Sequence, residues 1–103
     1  MDKIAALSEI LTADPANAFA RYGLAMEHTA QGNTELALTE FTTLILHNPD
    51  YVPAYQMSAQ TLAKLGRTEE AIARLKGGLA ASERTKNTHA ASEMQTLLDE
   101  LRS

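Results

Sequence analysis

The 103-residue chain carries nine Lys and Arg against thirteen Asp and Glu, a formal charge of −4 with no basic cluster; phosphate binding needs clustered cations, so neither nucleic acid nor an anionic membrane surface is an expected partner. It has no cysteine, which excludes disulfides, thiolate metal sites and a cysteine nucleophile. Its 45% hydrophobic content is that of an ordinary globular domain.

No apolar run approaches the roughly 20 residues of a membrane span. The start, Met1-Asp2-Lys3-Ile4, lacks the basic region and cleavage site of a signal peptide. One cytoplasmic domain, residues 1–103, is therefore the expectation.

The first predicted helix, 2–12, sets Ile4, Leu7, Ile10 and Leu11 at helical spacing ahead of Asp14-Pro15. The second, 17–31, carries Ala20, Leu24, Ala25 and His28 and ends at Gly32, where a left-handed residue is needed. Thr34 is expected to cap the third, 34–47, with Glu35 in its first turn beside the positive helix end. Its buried stripe is Leu36, Ala37, Phe41, Leu44 and Ile45. Asn48-Pro49 stops it, because proline lacks the backbone donor and disfavours a helical residue before it.

The fourth helix, 52–65, has Pro53 at its start, where the missing N–H costs little. Its apolar face is Ala54, Met57, Ala59, Leu62 and Leu65, and Gly66 closes it. Thr68 is expected to cap the fifth, 68–81, which carries Ala71, Ile72, Leu75 and Leu79. A polar break at 83–87 precedes the last helix, 88–101, with Ala91, Met94, Leu97, Leu98 and Leu101. Gly77-Gly78 lies inside the fifth helix, where each glycine costs about 0.8–1 kcal/mol relative to alanine. Close packing of the last helix on that spot explains the pair; a hinge that lets 79–103 move is the alternative.

These elements repeat. Pro15 and Pro49, Ala25 and Ala59, Gly32 and Gly66, and Ala37 and Ala71 each stand 34 residues apart. Thr34-Glu35 matches Thr68-Glu69, Leu38 matches Ile72, and Phe41 matches Leu75 in the same register. A helix pair per period cannot bury its apolar face alone, so neighbouring pairs must supply the core.

With this period, the small residues Ala25, Ala59, Ala37 and Ala71, the large Phe41 and Leu75, and the prolines at 15 and 49, the chain resembles the tetratricopeptide-repeat family. Tyr55 fills the family's early aromatic position, where Arg21 stands one period before. The resemblance implies an all-α, antiparallel helix-pair solenoid of about six helices. Residues 1–17 form a half-repeat, 18–51 and 52–82 full repeats, and 88–101 a capping helix.

It also implies a function: a non-catalytic protein–protein interaction module that binds a peptide or protein segment in a concave helical groove. Carried over by position, Phe19, Tyr22, Gly23, Met26, Thr29 and Ala30 line that groove in one repeat. Pro53, Gln56, Met57, Gln60 and Lys64 line it in the next. Phe19, Tyr22 and Met26 share one helical face, and aromatics with adaptable methionines suit an apolar side chain or amphipathic helix. Burial of Phe19 and Met26 in the core is the competing assignment. Tyr22, Met26 and Met57 occupy positions where some members clamp a terminal carboxylate, so such a ligand is disfavoured. The runner-up is a self-assembling structural domain, a weak homo-oligomer in which the N-terminal half-repeat pairs with a second chain.

No cofactor or metal is expected. His28, His47 and His89 include no pair at the i, i+4 spacing of a helical metal site. Glu69-Glu70 is accounted for by the dipole of a helix start, and no serine lies in a catalytic motif.

Overall fold

The computed structural model describes residues 2–103; residue 1, the start of the expected domain, lies outside the described residues. Among the described residues all regular structure is helical. The helices are α1 (Lys3–Ala13), α2 (Ala18–Ala30), α3 (Thr34–His47), α4 (Val52–Lys64), α5 (Thr68–Thr85) and α6 (Thr88–Arg102). The chain divides into two compact units, Met1–Asn48 and Pro49–Ser103.

In the first unit, Asp2 opens α1 by accepting the Ala5 N–H at 2.8 Å. The helix stops at Asp14, ahead of Pro15. α1 rests on α2 through Leu11, Ala20 and Leu24, with Ile4 and Leu7 packed against them. A Cβ on Gly23 would stand 3.3 Å from Leu7 Cδ1, so glycine lets the two helices approach closely. α2 packs in turn on α3, which takes Ala37, Phe41 and Leu44 fully out of water. Each such large apolar side chain contributes about 1.5–3 kcal/mol.

The turn between α2 and α3 is made by Gly32 at φ +79. Its N–H reaches Thr29 O at 3.1 Å, and the Asn33 N–H reaches His28 O at 2.8 Å. This pair of bonds satisfies the last carbonyls of α2 in a Schellman turn. One period on, Gly66 (φ +76) repeats it with Ala63 O and Leu62 O. Because the turn sets the entry to the next helix, Thr34 and Thr68 fall one place later than expected. They are the first helical residues, and the N-cap positions are Asn33 and Arg67, neither of which makes a side-chain cap bond.

In the second unit α4, α5 and α6 pack mutually. Tyr55, Leu62, Leu75, Met94 and Leu98 are buried there. A Cβ on Gly77 would lie 2.9 Å from Tyr55 Cε1. One on Gly78 would lie 2.7 Å from Tyr55 Cβ and 2.5 Å from Met94 Sδ. The double glycine is thus where α4 and α6 press onto α5, which supports the packing explanation over the hinge.

The fifth helix is longer than its apolar pattern suggests. It runs to Thr85, and the polar stretch expected to break it at 83–87 is helical for its first three residues. Two interactions hold that extra turn. Ala81 and Ser82 are buried, and Arg84 donates from Nε to Asp50 Oδ1 at 2.6 Å and from Nη2 to Pro49 O at 3.1 Å. The bond to Asp50 raises the Arg84 pKa further. The turn comes only at Lys86, a left-handed non-glycine residue at φ 59. Its N–H and that of Asn87 close a third Schellman pair on Glu83 O and Ser82 O.

Three residues at expected apolar positions are exposed, Leu36 of the expected buried stripe at 54%, Ile10 at 44% and Leu65 at 46%. Leu36 sits one residue, about 100°, from fully buried Ala37, and so turns away from the α2 seam. Leu65 lies beyond the last turn of α4 as its C-cap. Ile10 is one period before fully buried Leu44, at a place no described helix covers.

Candidate interaction surfaces

α2 begins where the Asn17 side chain accepts the Ala20 N–H at 2.9 Å. That cap fixes the first turn and projects Phe19 into solvent, 81% exposed. The core assignment for Phe19 is therefore excluded. A phenylalanine bears no polar group to hydrate, so exposure on this scale is unusual for so large an apolar side chain.

Tyr22 and Met26, one turn and two turns on, are half-buried. The Tyr22 ring meets Phe41 edge-on, with centroids 6.2 Å apart and planes at 62°, so a fully buried residue of α3 sets its orientation. Thr29 is half-buried and turns its hydroxyl back to Ala25 O at 2.9 Å. Of the other two positions, Ala30 is exposed, whereas Gly23 lies against Leu7. The open part of this face is thus Phe19 with the flanks of Tyr22 and Met26.

In the second unit Pro53, Gln60 and Lys64 are exposed and Gln56 and Met57 half-buried. They share the face of α4 opposite buried Ala54, Ser58 and Leu62. Pro53 also borders a cavity of about 480 Å³ with Asp50, Tyr51, Thr85, Lys86 and Asn87. A second cavity, about 590 Å³, opens between α5 and α6 among Leu79, Ser82, Glu83, Lys86, Thr88 and Ala91. Lys86 and Asn87 border both, and nothing in a lysine signals a left-handed turn from sequence. Leu46, 76% exposed on α3, also escaped notice; it lies about 100° from Ile45, and that spacing alone sets it off the stripe.

Several charged groups serve structure. Arg21 replaces an aromatic yet makes the aromatic's contact, since its Nη2 donates to Pro15 O at 2.9 Å, as the Tyr55 hydroxyl donates to Pro49 O at 2.6 Å one period later. Its Nη1 holds Glu40 Oε1 at 2.5 Å. Arg67 grips both oxygens of Glu70 at 2.7 and 2.9 Å, which holds that carboxyl below its usual range. Burial lowers the pKa of Arg74. His28 is half-buried, and its Nδ1 has no hydrogen-bond partner. Among the described residues no cluster of His, Cys, Asp and Glu could hold a metal ion, and no helix is long and apolar enough to cross a membrane.

Paired helices repeating at 34 residues with Schellman turns in register define an all-α helical-repeat protein. The tetratricopeptide-repeat pattern matches residues 28–98, more than half the chain, so the protein belongs to the tetratricopeptide-repeat family. A tetratricopeptide-repeat domain protein from Salinibacter ruber is 32% identical, with a TM-score of 0.80 over 85% of this chain and 89% of that one. The TPR2B domain of yeast Sti1, solved in a complex with pHsp70, is 18% identical, with a TM-score of 0.87 over 96% and 79% of the two chains. PcrH, solved with the chaperone-binding region of PopD, is 16% identical, with a TM-score of 0.88 over 96% and 75%. No curated protein matches the sequence.

Proposed function

We propose that this chain is a non-catalytic interaction module whose α2 face, led by Phe19 with Tyr22 and Met26, receives an apolar side chain from an amphipathic segment of a partner protein. The observation that carries the reading is the exposure of Phe19, 81% in the first turn of a capped helix. A large aromatic left in water is the kind of residue that dominates binding energy once covered, and the neighbouring thioether adapts to the shape presented. The exposed face of α4, Pro53, Gln56, Met57, Gln60 and Lys64, is proposed as a second contact, with amides and one cation to bond a backbone or carboxylate. Similar folds solved with pHsp70 and with a PopD segment support a protein or peptide as the class of ligand.

A displayed peptide library selected on the wild-type protein tests this. The selected peptide is expected to bind Phe19→Ala about thirtyfold more weakly, a loss of roughly 2 kcal/mol. The variant's melting temperature should be unchanged, because the ring is exposed. Equal binding by Phe19→Ala would remove α2 from the interface.

A further inference from the structure

We infer that the cavity between α5 and α6 binds a small uncharged molecule, an apolar ring or chain bearing one hydroxyl or carbonyl group, with Ser82 as its hydrogen-bond partner. The cavity lies within the second unit. It does not rest on the function proposed for α2 and α4.

The observation that points to a ligand is the Ser82 hydroxyl. Of the serines and threonines among the described residues, Ser58, Thr61 and Ser82 are buried. Ser58 donates to Ala54 O at 2.6 Å and Thr61 to Met57 O at 2.9 Å, one turn back along α4, as hydroxyls inside helices do. Ser82 is 1% exposed, and its Oγ has no hydrogen-bond partner. Stranding a hydroxyl is unfavourable, and close packing does not account for it. Alanine is smaller and the better helix former, and it stands fully buried one place earlier, at Ala81. Ser82 lines a cavity of about 590 Å³. A polar atom entering that cavity would complete the bond that the helix leaves unmade.

The rest of the lining sets the ligand's character. Leu79 and Ala91, one from each helix, supply apolar walls, as ligand cavities mostly have. Of the lining residues only Glu83 and Lys86 are charged, with opposite signs, so neither a cation nor an anion is favoured over a neutral molecule. The Ser82 oxygen is shut from bulk water, so a polar group that meets it does not compete with solvent for the bond. Lys86, long and exposed, borders the same cavity and can swing aside for entry.

Phenol and benzene, titrated separately into the intact protein and followed by amide chemical shifts, test the proposal. Phenol should bind with shifts centred on residues 79–95. It should bind about tenfold more tightly than benzene, the gain expected from a hydrogen bond to an otherwise stranded group. Benzoate and benzylamine, which carry a charge on the same ring, should bind more weakly than phenol.

Ser82→Ala should bring phenol down to the affinity of benzene while leaving benzene itself unchanged. It should also raise the melting temperature of the free protein, because no hydroxyl is then stranded. Ala91→Phe, which fills the cavity, should abolish binding of both rings. No binding of phenol, shifts confined to other helices, equal affinity for phenol and benzene, or a preference that survives Ser82→Ala would each overturn the proposal. So would tighter binding of benzoate or benzylamine than of phenol.

Discussion

At residue 78 the absence of a side chain lets three helices meet. Helix propensity alone says Gly78→Ala should stabilise by about 1 kcal/mol. The packing says otherwise. The new methyl would stand 2.7 Å from Tyr55 Cβ, the root of a side chain whose far end is tied to Pro49 O, as well as 2.5 Å from Met94 Sδ. Met94 can yield; Tyr55 Cβ cannot move without its backbone. Overpacking of this kind costs about 1–3 kcal/mol, so Gly78→Ala should lower the melting temperature by several degrees in a thermal scan. Gly77→Ala meets only the ring edge of Tyr55 and should cost less. The sequence marked these glycines as anomalous but left two explanations open, because the residues that press on them, Tyr55 and Met94, lie far away in the chain. Likewise Phe19 stood between groove and core until its direction from the helix was known; composition favours burial, and geometry put it in water.

Helix ends separate what was legible from what was not. Gly32, Gly66, Pro15 and Pro49 are punctuation that acts through the local backbone, and the elements end where they indicate. α5 does not, because its last turn is held by Arg84 reaching Asp50 across 34 residues of chain, a contact no local pattern records. The terminator is Lys86 in the conformation that glycine adopts at the corresponding ends of α2 and α4. A left-handed non-glycine residue costs about 1–2 kcal/mol, and a glycine there gives back about 0.4–1 through a freer unfolded chain. Lys86→Gly should therefore stabilise the protein by roughly 0.5–1 kcal/mol, seen as a rise of a few degrees in the same scan. A fall would mean that the ammonium contributes more to the two cavities it borders than the backbone loses in strain.

Across the whole chain the helices differ in how much each buries, and local stability should follow. Among the described residues α1 has one buried residue, Leu11, and packs mainly on α2. α5 buries Ala71, Leu75, Gly78, Ala81 and Ser82 and is packed on both α4 and α6. Few buried apolar contacts mean a small free energy of local opening, whereas a helix enclosed on two sides opens only with its unit. Amide exchange should therefore be fastest in α1 and slowest near Leu75, with the central amides of α2 and α3 between them. Ile10, by contrast, is 44% exposed. Ile10→Lys should thus leave the melting temperature nearly unchanged. Leu11→Ala, one residue on and buried, should cost about 2–5 kcal/mol and speed exchange throughout α1. Slow exchange in α1 equal to that of α5 would show that it is held by contacts beyond Leu11 and its neighbours on α2.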